Sequence, residues 1–324
     1  MSTSHHSKNK HVNKGLHIRN RHREGYDFTE LVSSSPALKQ FVSTNVHGDL
    51  SINFSDPLAV NALNTALLKH HYNINDWQLP QGALCPPVPG RVDYIHYVAE
   101  LLGIAAPSST LTKQHTDIKL LDIGIGANGI YSLLACQLYG WQCVGSDINR
   151  QSLDNVATII SKNPPLEEEK RLTLRFQQDK NKLFDGIIKQ GEWFDVSVCN
   201  PPFHASLEEA IKGSQRKVDN LARNRGEQVI THNVNSKPSL NFGGQEGELW
   251  CKGGEQLFLK KMIKESRLFS SQCRWFTSLV SKAENVKPAI KLLRKLGATD
   301  IKELEMVQGN KITRIVAWTF LSEA

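Results

Sequence analysis

From residue 117 onward, short apolar runs alternate with stretches whose apolar positions recur every three or four residues. Runs of four to eight apolar residues bounded by turn signals read as buried strands, and the longer spacing reads as one face of a helix. The pattern predicts strands at 118–123, 142–146, 172–176, 193–199 and 274–280, with helices at 129–139, 149–162, 254–269 and 286–296. The last helix stops at Gly297, and two closing strands, about 301–307 and 312–320, are joined through Gln308-Gly309-Asn310 in the manner of a hairpin. Alternating β and α elements imply an α/β fold with a mostly parallel, seven-stranded, doubly wound Rossmann-like sheet, to which the hairpin adds an antiparallel strand near one edge.

Upstream the pattern is helical. Asp56-Pro57 reads as an N-cap followed by a first-turn proline, and Leu58, Leu63, Leu67 and Leu68 follow at helical spacing. Cys85-Pro86-Pro87-Val88-Pro89-Gly90-Arg91 reads as a stiff extended segment. Arg91 then opens a helix with Tyr94, Ile95, Val98, Leu101 and Leu102 on one face, which makes Arg91 a candidate carboxylate clamp. About fifty residues of weak periodicity separate Phe203 from Gly254, far more than an ordinary connection. The expected organisation is a disordered arm at 1–25, a small helical RNA-binding or cap region at 26–90, and a catalytic domain at 91–324 with a substrate loop at 203–253.

Charge sharpens this picture. The 324 residues carry a net charge of +7, and residues 1–23 hold Lys8, Lys10, Lys14, Arg19, Arg21 and Arg23 with no acid. A segment of that kind is solvated when free and releases counterions when it meets phosphates. The long loop adds Lys212, Arg216, Lys217, Arg223 and Arg225. Six scattered cysteines without a Cys-x-x-Cys pair point to a reducing compartment, with neither disulfides nor zinc. No run reaches the length of a membrane span, and the start lacks a signal peptide's apolar core, so a cytoplasmic monomer with no metal is expected. His70-His71 and His96 have no companion ligands at metal-binding spacing.

The candidate chemistry lies at the ends of the predicted strands. Asp122-Ile123-Gly124-Ile125-Gly126-Ala127-Asn128-Gly129 is a strand, a glycine turn and a helix start. Asp147 ends the second strand, placed to accept both ribose hydroxyls of an adenosine. This stretch also fits the dinucleotide fingerprint, so by itself it serves NAD as well as S-adenosylmethionine. Asp122 directly before the glycines is typical of the methyltransferase loop, where it lies near the methionine ammonium. Asn200-Pro201-Pro202-Phe203 after the fourth strand has no role in hydride transfer. Its amide oxygen, a main-chain carbonyl and an aromatic face suit an exocyclic amine on a planar ring. S-adenosylmethionine is therefore the expected cofactor, with Arg91, Asp122, Gly124, Gly126, Asp147 and Asn200 as candidate binding residues.

In this order and on these strands, the motifs resemble a class I methyltransferase acting on amino groups. With 88–96, 125–131 and 248–255 added, the chain from about residue 25 onward resembles the RlmF family, bacterial 23S ribosomal RNA adenine-N6 methyltransferases. The resemblance implies that Arg91 binds the methionine carboxylate, that Gly124 and Gly126 pack under the cofactor, and that Asp147 holds its ribose. It implies that Asn200, Pro201, Pro202 and Phe203 hold the target adenine, the one at position 1618 of the reference bacterial 23S RNA, in free RNA or a large-subunit assembly intermediate. Asn-Pro-Pro-aromatic motifs also serve adenine in other RNA or DNA and glutamine amides in proteins. A non-catalytic RNA-binding scaffold on the same fold is the reading from another class.

Overall fold

The computed structural model describes residues 15–81, 83, 85–106, 117–202, 253–308 and 311–322. Its N-terminal part holds helix α1 (Phe28–Ser34), a small hairpin of β1 (Val42–Thr44) and β2 (Leu50–Ile52), helix α2 (Pro57–Tyr72) and helix α3 (Val88–Leu101). The remainder alternates: β3 (Lys119–Ile123), α4 (Ile130–Tyr139), β4 (Gln142–Asp147), α5 (Arg150–Ser161), α6 (Pro164–Glu168), β5 (Leu172–Phe176) and β6 (Phe194–Cys199). After residue 253 come α7 (Gly254–Ser266), β7 (Cys273–Val280), α8 (Val286–Lys295), β8 (Asp300–Gln308) and β9 (Lys311–Thr319).

The large sheet has seven strands in the order β5-β4-β3-β6-β7-β9-β8. All neighbours are parallel except β9, which runs antiparallel to both β7 and β8. The expected closing hairpin is therefore present, with β9 inserted one place in from the edge. Edge strand β8 carries Lys302, Glu303 and Glu305, charges that discourage pairing with another chain. The chain leaves β3 toward β4 on one side and returns to β6 on the other. That reversal opens a crevice beyond the C-terminal ends of β3 and β6, where sheets of this kind bind ligands.

Residues alternate across the sheet with period two. Leu120, Val196 and Ile315 join one apolar cluster, whereas Leu121, Cys199 and Val316 join the other. The first cluster also contains Phe28, Leu31, Leu63 and Leu67 from the N-terminal part, packed with Tyr94 and Leu134. The N-terminal elements thus share a core with the sheet face carrying Leu120.

Several expectations need correction. Residues 15–25 are not a disordered arm: Leu16, His17, Asn20 and His22 are buried, and Arg21–Glu24 forms a short 3-10 turn. Their polar side chains find partners far away in sequence, which compensates the ordering of the backbone. The extended prolyl segment ends at Pro87, because Val88 and Pro89 already belong to the first turn of α3, where a missing amide costs nothing. Asp56 does cap α2 by accepting the Leu58 amide at 2.9 Å, but Leu58 itself faces outward. The short helix α6 was hidden by its two prolines. Residues 1–14, most of the 203–253 loop and the Gly309-Asn310 turn lie outside the described residues.

Candidate active site

The turn after β3 is built by its glycines. Gly124 and Gly126 adopt φ of 73° and 65°, the left-handed region that side-chain-bearing residues avoid. A Cβ on Gly124 would meet nothing within 4 Å, so conformation rather than crowding demands glycine there. The amides of Gly124 and Ile125 both donate to the Ser146 carbonyl at 2.9 Å, fastening this turn to the end of β4. Asp147 completes the fastening. One of its carboxylate oxygens accepts the Gly126 amide at 2.9 Å and the other the Asn149 amide at 2.8 Å. Two fixed donors orient the carboxylate and leave further lone pairs on each oxygen.

A cavity of about 1400 Å³ opens over this turn. Of the residues singled out by sequence, Arg91, Gly124, Gly126, Asp147, Asn200 and Pro202 line it together. Pro201 is buried beside it, and Phe203 lies outside the described residues. Asp122 is brought near but not into the wall. It follows Leu120 onto the α4 face of the sheet, where Ser132 Oγ donates to one carboxylate oxygen at 2.9 Å and the other oxygen is buried without a partner. Burial pushes the Asp122 carboxyl up to about 7, and Asp147 nearby adds to the rise. A cation above the turn would ionise it.

Arg91, at the start of α3, donates to the Tyr131 hydroxyl and packs its guanidinium 5.4 Å from that ring's centre, while its Nε is buried without a partner. Asn200, at the tip of β6, likewise has a buried side-chain oxygen with no hydrogen-bond partner. Buried polar atoms are normally satisfied, so two unfilled ones around the same cavity point to a polar ligand.

Other contributors escaped the sequence reading. Ile148, half exposed, follows Asp147 in the cavity wall, and Phe176 lies there beneath the Arg150 guanidinium, 3.8 Å from its ring centre. Glu265 of α7, buried, accepts the amides of Leu183, Phe184 and Asp185 at 2.9–3.0 Å and so holds the cavity-lining Lys182-Leu183 segment. Lys180, Lys260, Lys261 and Lys264 also line the cavity. At the N-terminus, Asn20 donates to the Pro89 carbonyl at 2.9 Å and to Asp93, stapling residues 15–25 to the turn that carries Arg91. The lysines and the charged Asp93 were visible as residue types, but nothing local in sequence assigns them to the site.

These residues fit S-adenosylmethionine. A guanidinium suits its carboxylate, a fixed carboxylate suits its ribose hydroxyls, and an open glycine turn lets the ligand lie close to backbone. Among the described residues no cluster of His, Cys, Asp and Glu could hold a metal ion, and no helix is long and apolar enough to cross a membrane. His96 is a core histidine whose Nδ1 lies 2.8 Å from the Tyr139 hydroxyl.

Comparison with known proteins agrees with this geometry. A family model described as RNA methyltransferase matches residues 10–322. The chain is 57% identical over 324 residues, 99% of each chain, to the ribosomal RNA large subunit methyltransferase F of Saccharophagus degradans. It is 55% identical over 313 residues to the protein of the same name from Shewanella baltica, covering 97% of this chain and 83% of that one. Among solved structures, the human METTL16 catalytic domain in complex with the MAT2A 3'UTR hairpin 1 superposes with a TM-score of 0.77 at 29% identity, covering 96% of this chain and 97% of that one. The N-terminal domain of human METTL16 in complex with SAH gives a TM-score of 0.70 at 27% identity, covering 95% and 100%. Fold, cavity and full-length similarity lead to one assignment: the chain belongs to the RNA methyltransferase family, whose methyl donor is S-adenosylmethionine.

Proposed function

We propose that this protein methylates N6 of one adenine in 23S ribosomal RNA, acting as a monomer in the cytoplasm, with position 1618 of the reference RNA as its target. One observation carries the choice of an amino group as acceptor. The Asn200 side-chain oxygen is buried and unpartnered, in the wall of the same cavity as Arg91 and Asp147. An oxygen that can only accept hydrogen bonds calls for a donor, and an exocyclic amine supplies two.

Bound S-adenosylmethionine supplies a methyl carbon already activated by its sulfonium. The work left to the chain is alignment. Arg91 takes the methionine carboxylate, the Gly124–Gly126 turn passes beneath, Asp147 accepts the ribose hydroxyls, and Ile148 offers an apolar face beside them. Asp122, ionised by the positive charge above it, supports the methionine ammonium end from below. Adenine N6 is a poor nucleophile because its lone pair is delocalised into the ring. Asn200 Oδ1 and the Pro201 carbonyl accept its two N–H bonds and favour a more pyramidal nitrogen whose lone pair is free to attack. As positive charge grows on that nitrogen, both acceptors hold it more strongly, and this gain in the transition state is what lowers the barrier. Pro201 and Pro202 keep the acceptors from turning away, and Phe203 stacks on the base, which must be single-stranded or flipped out. The nitrogen's surplus proton is then lost to water.

RNA is held by charge. The lysines of residues 1–14, the basic segment 203–253 and the region 26–90 are assigned to the RNA, with Lys260 and Lys264 at the cavity rim. Asn200→Ala tests the assignment. It should keep S-adenosylmethionine binding and lose ~10²–10³-fold in turnover, the usual cost of removing one preorganised group at a site of developing charge. Turnover within twofold of the parent would remove Asn200 from the chemistry.

A further inference from the structure

The tip that carries Asn200 is held from one side only by the sheet. Toward β3, the β6 ladder runs to its last residue, Ile123 opposite Cys199. Toward β7 it stops two residues earlier, with Ser197 opposite Phe276. The β7 ladder ends there, three residues before the residue proposed to bind the substrate amine.

A hydroxyl fills the opening. Tyr94, fully buried on α3, places its oxygen 3.3 Å from the Cys199 amide nitrogen and 3.4 Å from the Cys199 carbonyl oxygen. The same oxygen is 2.8 Å from Thr277 Oγ1 of β7, which in turn donates to the Ser197 carbonyl at 2.7 Å. A consistent set of donors follows. Thr277 gives its proton to Ser197, the Cys199 amide donates to Tyr94, and the Tyr94 hydroxyl donates to Cys199 or Thr277. Both Cys199 contacts are at the long end for hydrogen bonds, so a small shift of the tip breaks them. Burial pushes the Tyr94 phenol well above its usual value, so it stays protonated and able to donate.

Tyr94 also faces the cofactor end. Its ring meets that of Tyr131 edge-on, centroids 5.2 Å apart, and Tyr131 accepts the Arg91 guanidinium. Arg91 and Tyr94 lie one turn apart on α3. One helix therefore touches the methionine clamp and the substrate tip together.

We propose that Tyr94 is a positioning residue for methyl transfer: its hydroxyl, with that of Thr277, stands in for the missing β7 ladder and fixes the aim of Asn200. The proposal rests on the assignment of Asn200 to the substrate amine. It goes further by naming the group that sets the angle of that acceptor.

Tyr94→Phe keeps the ring against Tyr131 and removes only the hydroxyl. Misalignment at a reacting centre costs rate steeply, so kcat of the folded variant should fall about tenfold while the Kd for S-adenosylmethionine stays within twofold. Thr277→Val should act in the same direction, and the double variant should be little worse than the poorer single one, because both hydroxyls serve one clamp. The parent's turnover on RNA tests the functional assignment, and the ratio of variant to parent tests Tyr94. Hydrogen–deuterium exchange over residues 194–200 reads the clamp without any turnover and should quicken in Tyr94→Phe with β3 unchanged. Should Tyr94→Phe not fold, Thr277→Val carries the same pair of measurements. A kcat within twofold of the parent, losses that multiply in the double variant, or unchanged exchange at the tip would overturn the proposal.

Discussion

The Gly126 amide donates to the Asp147 carboxylate over 2.9 Å, tying the glycine turn after β3 to the end of β4. The bond makes the floor of the cavity and its ribose acceptor a single unit. Asp147→Ala should therefore act twice, by removing the acceptor and by freeing the turn. Hydrogen bonds to charged groups contribute ~1.5–3 kcal/mol each, so the Kd for S-adenosylmethionine should rise about tenfold to a hundredfold. Calorimetric titration checks this, and an unchanged Kd would take Asp147 out of the cofactor site.

Arg91 should not be replaceable by lysine. Its guanidinium is held against Tyr131 by a hydrogen bond and ring contact together, leaving its remaining donors for a carboxylate. An ammonium has neither the plane nor the fork to do both. Arg91→Lys should weaken S-adenosylmethionine by about tenfold with kcat at saturating cofactor much less affected. A variant with normal cofactor affinity and a collapsed kcat would mean that Arg91 serves the substrate instead.

The staple at Asn20 connects the N-terminal segment to that arginine. Asn20→Ala removes one donor from the Pro89 carbonyl and one from the Asp93 oxygen, which keeps the His17 amide, at a cost of ~1–3 kcal/mol. The melting temperature should drop, and cofactor affinity should weaken because the first turn of α3 loosens. Equal affinity in the two proteins would show that residues 15–25 are anchored without influence on the site.

The same segment should be released by acid. Burial depresses His22 and His96 to about 3 and His71 to about 4, each further lowered by neighbouring histidines and Arg21, against an ordinary value of 6.5. These imidazoles bind protons more readily in the unfolded chain, so their contribution is complete above pH 6.5 and is lost as pH falls toward 4 and 3. Buried His22 and His96 each change stability by up to ~1.4 kcal/mol per pH unit in that window, and half-buried His71 by less because solvent screens it. Asp93, which burial raises to about 6, works in the opposite direction and offsets one of the three. Exchange protection of residues 15–25 should fall between pH 7 and 5 before that of β3. Equal protection at both pH values would contradict the account.

Much of this was legible because the chemistry sits where the sequence pattern is strongest. Strands β3 and β6 are buried on both faces, so they appear as apolar runs, and turn residues mark where they end. Gly124 and Asn200 could be placed at the ligand edge for that reason alone. What stayed hidden depends on contacts between distant segments. Asn20 and Asp93 are seventy-three positions apart, and a polar, histidine-rich stretch such as 15–25 looks solvated until its partners are known. Tyr94 read correctly as a core position of α3. Its hydroxyl gains meaning only because the β6–β7 ladder ends at Ser197, which periodicity does not encode. Pro89 misplaced the start of α3 because proline suits an extended segment and a first helical turn equally.

The most direct test of the account is methyl transfer from tritiated S-adenosylmethionine to 23S ribosomal RNA from cells lacking this gene, as free RNA and as large-subunit precursor particles, followed by nucleoside analysis. The account predicts label in N6-methyladenosine at a single adenine, lost with Asn200→Ala while the cofactor still binds. Label in a different nucleoside, or none on either substrate with cofactor bound, would contradict it.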